Sequence, residues 1–123
     1  MRCALGLAAV LVPLTLVTSS ARATDERGAF HAFHNTSCSE YADDRRHHGV
    51  ASTIANNSFI AGWLSAIDWS YPDTYNIAGP GAELDSVVLW LDKFCSEHPL
   101  ETLPGALAAF VNENYPNRAK RKP

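Results

Sequence analysis

The chain has 123 residues, with 10 lysines and arginines against 13 aspartates and glutamates. Four of the basic residues lie within the last six positions, so residues 24–117 carry four basic and thirteen acidic side chains, a formal charge of −9. Because phosphate recognition needs a basic face on the folded part of a protein, this distribution argues against a nucleic-acid partner.

The first 23 residues have the three parts of a secretory signal peptide. Arg2 supplies the positive charge, and residues 4–17 form an apolar run that is shorter than the ~20 residues needed to span a bilayer. Residues 21–23, Ala-Arg-Ala, form a small-x-small cleavage site. We therefore expect cleavage after Ala23, loss of Cys3 with the leader, and a periplasmic or secreted single domain that has no membrane attachment.

Cleavage would leave two cysteines, Cys38 and Cys95, in an oxidising compartment that favours disulfides. A domain of this size has a thin margin of stability, so a covalent cross-link is useful to it. A Cys38–Cys95 disulfide would close a loop of roughly 58 residues and stabilise the fold by about 4 kcal/mol in the chain-entropy treatment. The alternative is two separate reduced thiols.

The N-terminal part of the mature chain reads as a flexible segment followed by a short helix. Residues 24–36 are polar and show no sustained period, which predicts the flexible segment. Ser37 and Glu40 have the spacing of a capping box and begin a helical domain predicted over residues 37–116. The first helix is expected to end near His48, before Gly49.

The second helix is predicted from Ser58 to about Ser70, because the apolar residues there recur at the spacing of one helix face. These residues are Phe59, Ile60, Trp63, Leu64 and Ile67. Gly62 lowers helix propensity by about 1 kcal/mol relative to alanine, which predicts that packing beside Trp63 compensates for it. Residues 50–57 predict a connection or an irregular helix start, and residues 71–81 a loop of turn-forming residues.

Two further helices complete the predicted domain. The third runs from about Ala82 to Glu97 and carries Cys95 in its apolar stripe, and the fourth runs from Thr102 or Leu103 to just before Pro116. No useful alternating run predicts a strand, and residues 117–123 predict a basic, disordered tail. The fold class is therefore all-α, a small four-helix domain stapled by one disulfide.

Neither metal binding nor catalysis is expected from the polar residues. His31 and His34 are three apart and His47 and His48 are adjacent, but the first pair lies in a segment predicted to be flexible and the second would point to different helix faces. The sequence contains no nucleophile elbow or nucleotide loop, and its carboxylates are scattered. We expect no catalytic residue, no metal ion and no cofactor.

Four aromatic residues lie off the predicted core stripes, at their edges or in the adjoining loop. They are Trp69, Tyr71, Tyr75 and Trp90. Partly exposed aromatic rings beside turns often mark contacts with other proteins, because a large apolar face in water favours burial against a partner. The alternative is that four short helices wrap these rings within the fold.

The order of these features resembles small secreted α-helical proteins of proteobacteria, broadly HdeA-like. The resemblance is carried by a cysteine that opens the first helix, by Gly-Trp-Leu-Ser-Ala at residues 62–66 and by Leu-Trp-Leu-Asp-Lys-Phe-Cys-Ser-Glu-His-Pro-Leu at residues 89–100. It covers about Cys38 to Tyr115, and it implies the two-cysteine helical fold and a periplasmic location.

The resemblance also implies two kinds of protein partner. HdeA-like proteins are ATP-independent acid-stress chaperones, folded and often dimeric near neutral pH, which loosen in acid and bind unfolded clients. A homodimer and such clients are therefore expected partners. The alternative is a protein-interaction module similar to Rap1a-type immunity proteins, which neutralise a secreted effector by binding it specifically.

Overall fold

The computed structural model describes residues 25–27, 29–47 and 49–122. The described residues form α1 (Cys38–His47), α2 (Val50–Ser70), α3 (Leu84–Glu97) and α4 (Leu103–Asn114), followed by a 3-10 turn at Tyr115–Asn117. No strand occurs within these described ranges, where the pairing between extended segments is limited to isolated bridges. The predicted all-α class with four helices is confirmed.

The chain divides into two units, one up to His31 and one from Ala32 onward. The described part of the first unit contains a turn in which an Asp25 carboxylate oxygen accepts the backbone N–H groups of Arg27 and Ala29, at 2.9 and 2.8 Å. The predicted signal peptide, residues 1–23, lies outside the described residues. All four helices belong to the second unit.

The capping box predicted at the start of α1 is present. The Ser37 backbone N–H donates to Glu40 Oε2 at 2.9 Å, and the Glu40 backbone N–H donates to Ser37 Oγ at 3.2 Å. The two residues thereby satisfy each other's free donors at the first turn. Only Cys38 and Tyr41 of this short helix are buried, so α1 depends on its attachments to its neighbours.

The helix α2 begins at Val50, so residues 50–57, for which the sequence predicts a connection or an irregular helix start, belong to the helix. Its first two turns lack an inward-facing apolar period because apolar residues there face solvent and a polar residue faces the core. Val50 and Ile54 are exposed, whereas Asn56 is buried. A search for apolar residues on the inward face therefore finds the helix only from Phe59 onward.

The hydrophobic core is supplied mainly by α3 and α4, and α3 packs against each of the other three helices. The buried side chains of these two helices are Val87, Val88, Leu91, Cys95, Leu103, Pro104, Ala106, Leu107, Phe110 and Val111. Burial of this apolar surface drives the assembly of the helices. The first turn of α4 is capped by Thr102 Oγ1, which accepts the Gly105 N–H at 3.1 Å.

The Cys38–Cys95 disulfide is confirmed, with an S–S distance of 2.04 Å. It joins the first residue of α1 to the last turn of α3. The same end of α1 also contacts the segment before α4, since the Cys38 N–H donates to the Glu101 carbonyl and the Leu103 N–H donates to the Thr36 carbonyl, each at 2.8 Å. The start of α1 is thus held by both covalent and backbone bonds.

The C-terminal segment lies against the loop between α2 and α3. The Ala119 carbonyl accepts the N–H groups of Tyr75 and Asn76, and the Ala119 N–H donates to the Asn76 carbonyl, at 2.8 to 3.1 Å. Ala119 is buried, and the Arg118 guanidinium lies 3.9 Å from the centre of the Tyr115 ring. The structure therefore packs Arg118 and Ala119 where the sequence predicts a disordered tail, because the loop offers backbone groups that need partners.

None of the described helices combines the length and the apolar character needed to cross a bilayer.

Candidate functional site

Three of the four aromatic residues predicted as contacts are exposed near the C-terminal end of α2. Trp69 is 92% exposed on the last turn of the helix, and Tyr71 and Tyr75 in the following loop are 38% and 46% exposed. The Tyr71 ring packs edge-on against Tyr115, with 5.7 Å between centroids. Rings of this size in water are suited to contact with another protein.

Trp90 differs from these three because it is packed within the fold. Its indole is stacked on Phe94 with 5.0 Å between ring centroids and meets Phe110 edge-on at 5.2 Å. Its N–H donates to Glu113 Oε1 at 3.3 Å. The alternative, that the helices cover these aromatic rings within the fold, therefore holds for Trp90.

The solvent-facing side of α2 carries no charged side chain. Its exposed positions fall on one side of a helix with 3.6 residues per turn. We call this surface the uncharged face; it consists of Val50, Ala51, Ile54, Ala55, Ser58, Gly62, Ser65, Ala66 and Trp69. Val50 and Ile54 are 73% and 61% exposed at the N-terminal end and Trp69 is exposed at the C-terminal end, so large apolar groups stand in water at both ends of the helix.

The inward side of α2 is attached by polar bonds as well as by apolar contacts. Asn56, which is 3% exposed, donates from Nδ2 to Asp44 Oδ2 of α1 at 3.1 Å. Its Oδ1 lies 2.8 Å from His34 Nε2, whose ring packs against Phe59. Sequence reasoning missed this asparagine, since nothing in its neighbourhood marks a buried polar residue.

The one charged residue of α2, Asp68, anchors the loop that follows the helix. Asp68 Oδ1 accepts the backbone N–H of Ile77, a buried loop residue, at 2.7 Å. Burial raises the pKa of the Asp68 carboxyl, an effect that the Ile77 hydrogen bond partly opposes. Asp68 is the only ionisable side chain on α2, and it belongs to the internal framework rather than to the exposed surface.

A bidentate ion pair joins α1 to α3. The Arg45 Nε and Nη2 atoms donate to the two oxygens of Asp92 at 3.0 and 2.7 Å, and among the ion pairs of the described residues this one alone links different helices. The pKa of Arg45 is raised chiefly by its hydrogen bond to Asp92. Burial raises the pKa of the neighbouring Tyr41, and the negative charge of Asp92 adds to that effect.

Glu40 and Asp68, two carboxyl groups with shifted pKa values, have opposite effects on the stability of the fold when the pH falls. The pKa of Glu40 is lowered, first by the Ser37 backbone N–H, so its stabilising effect is present above the unfolded-state pKa and is lost as pH falls through the folded-state pKa. The raised pKa of Asp68 makes its effect fully present below the unfolded-state pKa and lost as pH rises through the folded-state pKa. Acid therefore weakens the start of α1 and spares the end of α2.

A groove of about 470 Å³ lies where the C-terminal segment meets the loop before α3. Tyr75 forms part of its wall, and Glu83 lines it together with the basic residues Arg118, Lys120 and Arg121. Three cationic residues against one carboxylate give the lining of this groove a net positive charge.

The described residues include no group of three or more histidine, cysteine, aspartate or glutamate side chains arranged to hold a metal ion. His34 is instead bonded to Asn56, and His47 Nδ1 lies 3.3 Å from Asp43 of its own helix. His48, which the sequence pairs with His47, lies outside the described residues.

Comparison with known protein families, with curated proteins and with solved structures finds no match to this chain.

Proposed function

We propose that this protein is a periplasmic, ATP-independent chaperone of the HdeA-like type, which loosens in acid and binds unfolded proteins. The observation that supports this most directly is the double tie between α1 and α3. Cys38–Cys95 joins the two helices covalently, and Arg45–Asp92 joins them through a pair that requires an ionised carboxylate.

Acid acts differently on these two ties. A carboxylate attracts a guanidinium strongly only while it is ionised, so protonation of Asp92 in acid would remove its attraction for Arg45. The disulfide is unaffected by protonation. Strong acid would thus loosen the packing of α1 on α3 without separating their ends, so the chain opens only in part and can close again when the pH rises.

The net charge adds to this loosening. Residues 24–117 carry a formal charge of −9 with ionised carboxylates, and their four basic side chains and five histidines give +9 once all carboxylates are neutral and all histidines are protonated. Self-repulsion of such a charge destabilises a compact state. The charge-assisted bond from Asn56 to Asp44, which holds α2 to α1, also becomes a weaker neutral bond.

Release of α2 would expose the apolar side chains with which it covers the core. These are Phe59, Ile60, Trp63, Leu64 and Ile67. An apolar helix face of this kind binds exposed hydrophobic segments of unfolding proteins without needing a defined sequence. The proposed client surface is therefore one that the neutral fold covers.

The test is suppression of aggregation by the mature, disulfide-intact protein, measured by light scattering with several unrelated clients. We expect suppression at about pH 2–3 and none at pH 7, with a gain of ANS fluorescence over the same interval. Asp92→Asn should move the ANS transition to higher pH, whereas Glu97→Gln, an exposed carboxylate at the end of the same helix, should leave it in place. Absence of suppression in acid, or equal suppression at both pH values, would contradict the proposal.

A second candidate function is specific binding of one protein partner, as in Rap1a-type immunity proteins. The exposure of Trp69, Tyr71 and Tyr75 around one end of α2 favours it. A specific binder should capture one partner at neutral pH and lose it on Trp69→Ala or Tyr75→Ala, but not on Leu100→Ala, which removes an exposed apolar side chain elsewhere. Such a protein should show no acid-dependent suppression of aggregation.

A further inference from the structure

We propose that the groove between the C-terminal segment and the loop before α3 binds an extended, acidic segment of a partner protein at neutral pH. The groove has a volume of about 470 Å³, and the C-terminal segment lines it with Arg118, Lys120 and Arg121. We call residues 118–121 the basic wall. Ligand sites in proteins commonly have volumes in this range. The inference concerns the neutral, folded protein, so it does not depend on chaperone activity in acid.

The basic wall is distinctive because the rest of the domain is acidic. Residues 24–117 carry a formal charge of −9, and two of their four basic residues, Arg45 and Arg46, are paired with carboxylates at 2.7 and 3.2 Å. Lys120 and Arg121 are exposed, and neither takes part in the ion pairs of the described residues. Cations that are not neutralised by neighbouring carboxylates favour an anionic ligand in the groove beside them.

The backbone of the basic wall is held in place within the fold. Ala119 is buried and exchanges two backbone hydrogen bonds with Asn76, at 2.9 and 3.1 Å. The Asn76 side chain donates from Nδ2 to the carbonyl of Ala82, which lines the groove from the loop before α3, at 2.8 Å. Asn76 therefore bonds to both sides of the groove, and a ligand has to order little of the protein when it binds.

Arg118 is oriented by its own side-chain contacts. Its Nε donates to Thr74 Oγ1 at 3.1 Å, and its Nη1 donates to the Tyr115 carbonyl at 2.7 Å. Among the described residues, Nη2 of this guanidinium has no hydrogen-bond partner. A guanidinium that is already oriented loses little side-chain freedom when it pairs with a carboxylate, so Arg118 is suited to an acidic ligand.

The spacing of the cations favours a chain over a small anion. Arg118 has extended backbone angles and Ala119 forms a β-bridge, so the Cα atoms of Arg118 and Lys120 are roughly 6.5 Å apart, at ~3.3 Å per residue. Alternate side chains of an extended peptide have the same spacing. Two carboxylates of such a peptide can therefore pair with Arg118 and Lys120 at once, which a single phosphate does not do.

An anionic membrane fits this groove less well than a peptide does. Glu83 lines the groove, and Asp85 is exposed on the first turn of α3. A broad anionic surface would meet these carboxylates as well as the cations, whereas a narrow chain can lie along the basic wall. Tyr75, which is 46% exposed and also lines the groove, offers an aromatic ring to the apolar side chains of such a chain.

The test is fluorescence anisotropy at pH 7 with the mature, disulfide-intact protein and a capped, fluorescein-labelled peptide that alternates aspartate with alanine. We expect a dissociation constant of about 10–100 μM at low salt. It should rise about fivefold or more at about 0.3 M NaCl, because salt screens exposed charges. The matching peptide with asparagine in place of aspartate should not bind in this range.

Two double variants with the same net charge locate the site. Lys120→Gln with Arg121→Gln should weaken binding about fivefold or more, because the groove loses two of its three cations. Both side chains are exposed, so the variant should fold. Arg46→Gln with Lys93→Gln, at exposed positions outside the groove, should change binding by less than about twofold.

Glu83→Gln tests the same location with the opposite sign. It should tighten binding about twofold or more, because the lining loses its carboxylate, and misfolding does not produce tighter binding. Glu97→Gln, at the other end of α3, should leave binding unchanged.

Absence of peptide binding at about 500 μM protein would overturn the proposal, as would equal weakening by the two double variants. Displacement of the peptide by millimolar inorganic phosphate would assign the groove to a small anion, and displacement by phosphatidylglycerol vesicles would assign it to a membrane. Either displacement would also overturn the proposal. All of these measurements are made at pH 7, so they leave the acid-dependent suppression of aggregation to its own test.

Discussion

Asn56 offers the sharpest test of how α2 is attached to the rest of the domain. Its side chain is almost fully buried, and both ends of the amide are bonded, Nδ2 to Asp44 and Oδ1 to the His34 ring. Asn56→Ala removes both bonds, so the Asp44 carboxylate loses this donor, while His34 Nε2 keeps its contact with Thr36 Oγ1 at 3.0 Å. The helix itself gains propensity, since alanine is the best helix former.

The magnitude follows from the two bonds. A hydrogen bond to a charged group contributes about 1.5–3 kcal/mol and one between neutral groups about 0.5–1.5 kcal/mol. Loss of both should lower the free energy of unfolding by about 3 kcal/mol, from which the gain in helix propensity subtracts less than about 0.7 kcal/mol. For a domain of roughly 100 residues, this corresponds to a fall in Tm of roughly 10–20 °C.

The assay is urea unfolding followed by circular dichroism at pH 7, with Ser58→Ala as the matched control on the exposed side of the same helix. The control should stay within about 0.5 kcal/mol of the wild type. A cycle of Asn56→Ala and Asp44→Ala, singly and together, measures the coupling of the two side chains. A loss below about 1 kcal/mol for Asn56→Ala, with no coupling to Asp44, would refute the role of Asn56 as an anchor.

Three further changes test the ties at α1. Replacing Cys38 and Cys95 by serine should lower the free energy of unfolding by about 4 kcal/mol, and an unchanged urea midpoint would contradict the loop-entropy argument. Asp92→Asn should cost about 1 kcal/mol at pH 7, because the pair with Arg45 is bidentate but one-third exposed; an equal cost in an Arg45→Met background would exclude the ion pair as the cause. Glu40→Gln should destabilise the protein above about pH 4.3, where the lowered pKa of Glu40 has its full effect, and the difference should shrink as pH falls below that value, as thermal unfolding across pH would show.

The parts of the fold that the sequence predicts are those where local chemistry and burial agree. Ser37 and Glu40 are read from their spacing because the capping box is made within one helical turn. The apolar stripe of α3 is predicted correctly because the apolar residues that recur every three or four positions are the ones that the fold buries. The sequence predicts the pairing of Cys38 with Cys95 because they are the two cysteines that follow the predicted leader.

The sequence fails where a partner distant along the chain decides the outcome. Ala119 is buried because the loop around Asn76 offers it backbone hydrogen bonds, and no pattern near residue 119 shows those bonds. Trp90 and Trp69 both look peripheral on their helices, yet Trp90 is enclosed by Phe94 and Phe110 whereas Trp69 stands in water. Whether each tryptophan is covered depends on which helix packs against it, and the hydrophobic period of one helix does not show this.

The N-terminal half of α2 is also hard to predict from the sequence, because its apolar and polar residues lie on the opposite sides from those expected for a surface helix. A surface helix usually carries charged or polar residues on its solvent side and apolar residues on its inner side. Here the inner side carries Asn56, and the outer side carries Val50 and Ile54. The buried amide is explained by Asp44 and His34, which satisfy it. Val50 and Ile54 remain exposed, so in this half of α2 the polar bonds of Asn56, rather than the burial of apolar side chains, fix which side of the helix faces the core.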